Sequence, residues 1–242
     1  MVVKMIGSGS MWTKFNSASY LIDGNIMVDF PNGACKYLYR FNIEPKQVDY
    51  VLITHFHGDH YFDLPFYVLN KSKASNKKVN IYCSKEGKSK IWKISKLAFP
   101  NSYKDFFRET STSFNFMSKF KLNDYNVTRI LVDHGRMKPA YGYIFESDKH
   151  FIGFTGDTSL CESVRFLASK CDYLFCDVSL IHGTSKHMGT NDIVNLCNEF
   201  NECTFITSHM LDEAREELKK YDLKNLIIGE DGKEFRIWKK CY

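Results

Sequence analysis

Short apolar runs separated by polar turns recur along the chain, which is the pattern of β-strands rather than of long helices. Near the start, SYLI and IMVDF are two such runs, and Asp23-Gly24-Asn25 joins them. Because Gly and Asn tolerate positive φ, this connection predicts a β-hairpin. Further strand-like runs are YVLIT, VNIYC, NVTRILV, YGYIF, HFIGFTG, DYLFCDV, CTFITS, NLIIGE and EFRIW.

Helical patterns lie between some of these runs. Ser159 and Glu162 have the spacing of a capping box, which predicts a helix from Leu160 to about Lys170. Asp63 and Thr190 are candidate N-caps of two further helices, and DEAREELKKY is typical of a short, charged helix. Strands dominate the first half and alternate with helices in the second, which favours two packed sheets with helices outside.

The composition of the chain limits the classes of protein to which it can belong. With 242 residues, of which 44% are hydrophobic, the chain can bury a full core. It has no low-complexity linker and no repeat, so residues 1–242 are predicted to form a single domain. No apolar run has the length of a signal-peptide core or of a membrane span, so we expect a cytoplasmic protein without a membrane partner.

Cysteine and lysine residues each allow two interpretations. Without CxxC pairs or a secretory context, buried free thiols are favoured over disulfides. The net charge is +5, and the segment Lys71–Lys96 holds nine lysines against one acidic residue, Glu86. A solvated face is the ordinary interpretation, while attraction of a phosphate-bearing substrate or of nucleic acid stays open. The eight cysteines are Cys35, Cys83, Cys161, Cys171, Cys176, Cys197, Cys203 and Cys241.

The segment THFHGDH at residues 54–60 has the composition of a metal site. It follows an apolar strand, and side chains two apart on an extended chain point the same way, so His55 and His57 can bind one ion. Gly58 then allows the backbone to turn, which redirects Asp59 and His60 towards a second ion. Imidazole and carboxylate without cysteine suit Zn first, with Mn or Fe as alternatives.

Isolated His and Asp residues stand at three other strand ends. His134 follows RILVD and precedes a glycine, Asp157 follows FIGFTG, and His209 follows CTFITS. Each is a weak signal alone, but the same context recurs three times downstream of THFHGDH. The sequence therefore predicts one composite metal site built from several strand ends.

The motifs THFHGDH, DHG, GDTS and TSHM, in this order, resemble those of the metallo-β-lactamase-fold hydrolase superfamily over essentially the whole chain. The resemblance implies an α+β fold, a four-layer αββα sandwich of two mixed sheets with helices outside and the site at the edge where the sheets meet. It also implies that one metal is held by His55, His57 and His134, a second by Asp59, His60 and His209, and that Asp157 bridges them.

Two divalent ions that share a carboxylate can share a water, whose pKa then falls to about 7. The hydroxide formed at neutral pH is a nucleophile, so the predicted reaction is hydrolysis with no redox cofactor. Asp59 and His187 are the candidate catalytic residues. Without a cysteine ligand, the site is unlike those of the true β-lactamase branches, which disfavours antibiotic hydrolysis.

The substrate depends on two features. KHMGTNDIVNLC places His187 before a helix, which resembles the ribonuclease Z and cyclic-phosphodiesterase branch, where this histidine donates a proton or hydrogen bond near the scissile phosphate. A surface histidine is the alternative, and it is the favoured interpretation for His150 and His182. Asp177 either orients a ligand or caps a turn.

The interval from His134 to Asp157 is short, whereas ribonuclease Z typically carries a tRNA-binding arm there. This favours a phosphodiesterase for a small or cyclic phosphodiester, or for RNA without a dedicated arm, with Arg136 as a candidate phosphate contact. A thioester or lactone hydrolase is the first alternative, and a non-catalytic metal- or nucleic-acid-binding scaffold the second. All seven ligand positions are filled, which disfavours the scaffold, and a homodimer is compatible with each interpretation.

Overall fold

Two mixed sheets form the centre of the fold in the computed structural model, which describes residues 1–44, 46–75, 77–106, 112–148 and 150–237. The strands of the first sheet are β1 (Val2–Gly7), β2 (Ser19–Ile22), β3 (Ile26–Val28), β4 (Tyr50–Leu52), β5 (Val79–Tyr82), β6 (Thr112–Asn115) and β14 (Glu234–Arg236). Their order is β14-β1-β2-β3-β4-β5-β6. Pairing is antiparallel from β14 to β3 and parallel from β3 to β6.

The second sheet repeats this mixed arrangement. Its strands are β7 (Lys119–Leu122), β8 (Tyr125–Val132), β9 (Ala140–Glu146), β10 (Phe151–Phe154), β11 (Tyr173–Asp177), β12 (Thr204–Ser208) and β13 (Leu226–Ile228). They lie in the order β13-β12-β11-β10-β9-β8-β7. Pairing is antiparallel from β7 to β10 and parallel from β10 to β13.

Helices cover the outer face of each sheet. They are α1 (Ala34–Arg40), α2 (Gly58–Tyr61), α3 (Leu64–Ala74), α4 (Lys85–Ala98), α5 (Tyr103–Phe106), α6 (Glu162–Lys170), α7 (Thr190–Glu199) and α8 (Asp212–Leu218). One apolar cluster fills the space between the sheets, where Tyr20 packs against Phe154 and Phe175. Two others join the first sheet to α1, α3 and α4, and the second sheet to α6, α7 and α8. The four-layer αββα prediction is therefore confirmed.

The local predictions have a mixed outcome. The strand-like runs and the β2–β3 hairpin are confirmed, and Asp63 is the N-cap residue of α3. Strands β1, β6 and β7 and helices α1, α2, α4 and α5 were not predicted. None of the helices in the described ranges combines the length and apolar character needed to cross a membrane.

Two predicted helix caps are wrong. Helix α6 begins after Cys161, and the Ser159 hydroxyl instead donates to the backbone carbonyl of Asp133 at 3.1 Å. Gly189 is the N-cap of α7, while Thr190 is already helical. The Thr190 hydroxyl donates to the carbonyl of Ile181 at 2.9 Å. Both hydroxyls therefore bond to backbone carbonyls outside the helix, and these contacts compete with local capping.

Lys71 corrects the expectation of a uniformly solvated lysine segment. Its side chain is fully buried, and its ammonium donates to the carbonyls of Lys46 at 2.6 Å and Val48 at 2.9 Å. The same group lies 2.6 Å from the carboxylate of Asp49. Lys71 therefore ties α3 to the segment that enters β4, and contributes nothing to a positive surface.

We expect Lys71→Ala to lower the free energy of unfolding by about 3 kcal/mol, because it removes the buried ammonium that is shared by the Asp49 carboxylate and the carbonyls of Lys46 and Val48. Lys73→Ala, two residues along the same helix and exposed, is the matched control and should change it by less than about 0.5 kcal/mol. Urea unfolding of the three proteins measures both values. Equal effects of the two substitutions would contradict a structural role for Lys71.

Candidate metal centre

The THFHGDH segment leaves the first sheet at the end of β4 and leads into α2. His55 is buried and His57 is half-buried, while the other two candidate ligands of the segment lie in α2. Gly58 does not adopt positive φ, so its conformational freedom is not what turns the chain. A Cβ at Gly58 would instead lie 2.6 Å from the ring of Phe62, so the glycine makes room for close packing.

The remaining candidate ligands follow strands of the second sheet. His134 comes after β8, and the next residue, Gly135, has a φ of +60°. Asp157 comes after β10, and Gly156 before it has a φ of +61°. His209 follows β12 and itself adopts a φ of +55°. These left-handed positions turn the chain sharply at the strand ends and aim the side chains at one edge of the sandwich.

One group of ligand atoms comprises three imidazoles and a carboxylate. The Nδ1 of His57 lies 3.0 Å from the Nε2 of His55 and 3.1 Å from the Nε2 of His134. The Oδ2 of Asp157 lies 3.7 Å from the His55 nitrogen and 3.9 Å from the His134 nitrogen. Ligand atoms of a tetrahedral zinc ion are about 3.3 Å apart, so these distances fit a bound ion.

A second group shares the same carboxylate oxygen. The Oδ2 of Asp157 lies 3.3 Å from the Nε2 of His60 and 3.4 Å from that of His209. The Oδ2 of Asp59 lies 3.4 Å from the His209 nitrogen and 3.9 Å from the His60 nitrogen. The His60 Nε2 is buried and makes no hydrogen bond with any described residue. A buried polar atom of this kind needs a partner, and a divalent cation supplies one.

On the first-sheet side, Asp29 and Thr54 hold two of the imidazoles. The Asp29 carboxylate lies 2.8 Å from the Nδ1 of His60 and accepts hydrogen bonds from the Thr54 backbone at 2.8 Å and its hydroxyl at 2.7 Å. The same hydroxyl lies 3.1 Å from the Nδ1 of His55. Such contacts fix the ring orientation and leave the Nε2 atoms free to face the centre.

On the second-sheet side, Ser179 and Asp177 have the corresponding role. The Ser179 hydroxyl donates to Asp177 at 2.6 Å and lies 2.7 Å from the Nδ1 of His209. The other Asp177 oxygen lies 2.8 Å from the Nδ1 of His187. The same carboxylate accepts a hydrogen bond from the Thr158 backbone at 3.0 Å, so Asp177 both orients neighbouring side chains and caps the turn after Asp157.

His187 lies in the same cluster as the candidate ligands. Its ring centroid is 4.9 Å from that of His134 and 5.4 Å from that of His209. Burial lowers the pKa of His187, but the hydrogen bond and charge of Asp177 outweigh burial and raise it above the ordinary value. The side chain keeps 22% exposure, so it is reachable from solvent.

The protonation of the cluster follows from burial and from its carboxylates. Burial lowers the pKa values of His55, His57 and His134, so these imidazoles are neutral at pH 7 with free lone pairs. Burial opposes ionisation of Asp157, yet the histidine charges, that of His209 foremost, hold its pKa well below the usual range. Burial also opposes charge on His209, but the carboxylates of Asp157, Asp177 and Asp59 together outweigh it and raise the pKa of His209 to about 10. A cation bound there would displace protons.

Several residues that were considered from the sequence do not belong to the cluster of candidate ligands. The exposed His182 lies near Asn191, and His150 lies 3.4 Å from Asp172. Arg136 is exposed on the turn after β8. Seven of the eight cysteines are free, and Cys241 lies outside the described residues.

Three residues that support the candidate ligands were not predicted from the sequence: Asp29, Thr54 and Ser179. Asp29 follows a strand, as the candidate ligands do, and its φ of +60° is another left-handed position at a strand end. The Asp in IMVDF could therefore have been recognised from the sequence as a residue of the site. Nothing local distinguishes Ser179 from other serines, since its partners come from distant segments.

Two mixed sheets, outer helices and a histidine–aspartate cluster at their shared edge define a metallo-β-lactamase-fold hydrolase. Bacillus subtilis YhfI, a solved member of this fold, superposes with a TM-score of 0.79 at 16% identity, covering 97% of this chain and 98% of that one. Within this class the chain belongs to the family described as Anti-Pycsar protein Apyc1, which matches residues 1–228.

Other relatives place the chain in the ribonuclease Z-like branch of the superfamily. The ribonuclease Z of Pyrococcus horikoshii is 34% identical over 128 residues, which cover 51% of this chain and 39% of that protein. The chain thus spans about two fifths of the length of that relative. A diphosphatase of the PhnP family superposes with a TM-score of 0.75 at 17% identity, covering 98% of both chains.

Proposed function

We propose that this chain is a metal-dependent phosphodiesterase for small or cyclic phosphodiesters. The proposal assigns two divalent ions, Zn first and Mn or Fe as alternatives, to the two ligand groups that share Asp157. The choice of a phosphodiester as the substrate class rests on the position of His187 beside both ligand groups. The proposed ligands are His55, His57, His134 and Asp157 for one ion and Asp59, His60, His209 and Asp157 for the other.

The ions, when bound, would supply an activated water and Lewis acidity towards the scissile bond. The protein supplies the geometry. The neutral imidazoles and the ionised Asp157 present lone pairs at one edge, and Asp29 and Ser179 hold the His60 and His209 rings in place. Because these side chains are already ordered by buried hydrogen bonds, little reorganisation is needed on substrate binding.

His187 is the group that can give a proton to the leaving oxygen. Asp177 occupies its Nδ1, which leaves the Nε2 to donate. The raised pKa increases the protonated fraction of His187 near neutral pH. An alkoxide leaving from phosphorus needs such a proton, so a histidine at this place supports phosphodiester hydrolysis. The ribonuclease Z and diphosphatase names of the relatives point to phosphorus substrates as well.

The segment between His134 and Asp157 favours a small substrate over tRNA. Strands β9 and β10 occupy half of this interval, and both pair within the second sheet. The described residues there form no projecting arm that could bind RNA at a distance. We therefore favour small or cyclic phosphodiesters over RNA as substrates.

A substrate panel on protein of measured metal content tests the proposal. We expect two divalent ions per chain and hydrolysis of bis(p-nitrophenyl) phosphate at a rate well above that of p-nitrophenyl acetate, a thioester or a lactone. Faster turnover of the ester or lactone would select the alternative hydrolase. A fully metallated protein inert towards every phosphodiester would contradict the proposal. A single domain, a cytoplasmic location and a homodimer stay predictions.

A further inference from the structure

His209 has an uncommon backbone conformation for a buried residue. Its φ of +55° lies in the left-handed region, which residues other than glycine rarely adopt. Such a conformation persists when the surrounding structure holds it in place. Because this φ directs the imidazole after β12 ends, the contacts that hold the backbone here also place a candidate metal ligand.

The residue after His209 connects the two sheets. The Met210 N–H donates to the carbonyl of Ser8 at 3.2 Å, and the Ser10 N–H donates to the carbonyl of Met210 at 3.1 Å. These two hydrogen bonds form a parallel β-bridge between Met210 and Gly9. Ser8 directly follows β1 of the first sheet, whereas His209 directly follows β12 of the second. The backbone beside this candidate ligand is therefore held by the end of a strand from the other sheet.

Two charged side chains hold Ser8 in turn. The Oδ1 of Asp231 accepts hydrogen bonds from the Ser8 backbone at 2.9 Å and from its hydroxyl at 2.8 Å. The same hydroxyl accepts a hydrogen bond from the Arg215 guanidinium at 2.9 Å. Ser8 is fully buried and Arg215 is 5% exposed, so these bonds are shielded from water and are strong. Ser8, Arg215 and Asp231 are called here the Ser8 network.

Both charged side chains of the Ser8 network are fixed by further contacts. Arg215 lies in α8 and donates to the carbonyl of Gly229, the residue after β13, at 2.5 Å. Its guanidinium also lies 3.8 Å from the ring centroid of Phe15. The second oxygen of Asp231 accepts a hydrogen bond from the backbone of Asn16 at 2.7 Å. The network is therefore a rigid support that joins α8 and the C-terminal strands to the end of β1.

We propose that the Ser8 network positions His209 as a metal ligand. The network fixes the Ser8 carbonyl, this carbonyl holds the Met210 N–H, and Met210 restrains the left-handed backbone of His209. Arg215 and Asp231 are thus positioning residues, which act through Ser8 rather than on the ion itself. The inference rests on the metal centre of the proposed function, and it concerns the assembly of that centre rather than the substrate.

The Ser8 network should affect one of the two proposed ions more than the other. In the proposed ligand sets, His209 binds the ion that it shares with Asp59 and His60. The three histidines assigned to the other ion follow β4 and β8 instead. Loss of the network should therefore weaken the ion at His209 and leave the affinity for the other ion nearly unchanged. A residue that merely stabilises the fold would not discriminate between the two ions.

Ser8→Ala tests the assignment mildly, because it removes the hydroxyl shared by Arg215 and Asp231 and keeps the backbone bonds. Zn²⁺ affinity is measured by competition with a chromophoric chelator in two backgrounds. His57→Ala retains the ion at His209, and His60→Ala retains the other ion. We expect Ser8→Ala to raise the Zn²⁺ dissociation constant roughly 10-fold in the first background and by less than about 2-fold in the second. With both ligand groups intact, only one of the two dissociation constants should rise.

Two control variants separate positioning from stability. Glu230→Ala removes the exposed carboxylate next to Asp231 in the chain and should change neither Zn²⁺ dissociation constant. Lys71→Ala should lower the free energy of unfolding and also change neither constant, because the partners of Lys71 lie before β4. Asp231→Ala removes three hydrogen bonds of the network and should act in the same direction as Ser8→Ala, with a larger rise for the ion at His209.

The outcomes distinguish the inference from the proposed function. If Ser8→Ala left both dissociation constants unchanged in a protein that binds two ions, the inference would be wrong and the proposed function would stand. Equal rises for both ions would also overturn it, because they would indicate a general loss of structure. If wild-type protein bound no divalent ion, the proposed function would fall and the inference with it.

Discussion

Asp157→Ala is expected to abolish phosphodiester hydrolysis. Its Oδ2 lies within 3.9 Å of ligand nitrogens in both groups, so a single substitution removes a ligand from both proposed ions. Each ion stabilises charge in the transition state by several kcal/mol, and a loss of about 4 kcal/mol already lowers the rate roughly a thousandfold. We expect kcat/KM for bis(p-nitrophenyl) phosphate to fall by at least that factor.

Metal content is the second readout of this substitution. Elemental mass spectrometry of the digested proteins should find about two metal ions per wild-type chain and fewer than two in Asp157→Ala. Treatment of the wild type with EDTA should abolish activity, and added Zn²⁺ or Mn²⁺ should restore it. Asp157→Asn, which keeps the volume of the side chain, separates loss of the ligand from a cavity in the buried site.

Asp222→Ala is the matched control because Asp222 is exposed. It should keep wild-type activity and metal content. Full activity in a folded Asp157→Ala protein, or activity that survives complete removal of metal, would contradict a metal centre built on Asp157.

The ligand cluster was predictable because its members share one local signature. His55, His134, Asp157 and His209 each follow an apolar strand. Strands β8, β10 and β12 run in the same direction, so the three residues after them lie at the same edge of the second sheet. The order of the four motifs added the αββα architecture through family resemblance, which spacing alone does not provide. The structure brings all seven candidate ligands to that edge.

The contacts that support the ligands were less accessible from sequence. Asp29 is 31 residues from His60, and Ser179 is 30 residues from His209. Their partners are set by how the strands pair, which local patterns do not specify. For the same reason Lys71 was taken as part of a solvated segment, because its buried acceptors come from the turn before β4.

The loss of kcat caused by His187→Ala is expected to depend on the leaving group of the substrate. A general acid contributes about 100- to 10,000-fold when the leaving oxygen needs a proton. Alkoxide leaving groups, as in a cyclic phosphodiester or a dinucleotide, need that proton. p-Nitrophenolate is a stable anion and leaves without one. We therefore expect kcat to fall roughly 100-fold or more with the alkyl leaving group and only a few-fold with bis(p-nitrophenyl) phosphate, at similar KM.

The dependence on pH gives a readout that a purely structural role would not change. A general acid must be protonated, so the wild-type kcat for the alkyl leaving group should fall as pH rises through the pKa of His187, which Asp177 raises against the effect of burial. That alkaline limb should disappear in His187→Ala. His182→Ala, an exposed histidine before the same helix, is the matched control and should leave the profile unchanged.

Two results would contradict the leaving-group role of His187. Equal losses for both leaving groups would assign its hydrogen bond to a non-bridging phosphoryl oxygen, because that contact stabilises the transition state whatever group departs. No loss with either substrate would remove the main support for a phosphodiester and favour the ester hydrolase, since the metal cluster by itself serves either reaction. Asp177 holds the Nδ1 of His187 at 2.8 Å beside the shared edge. This position favours proton donation to the leaving oxygen over these two alternatives.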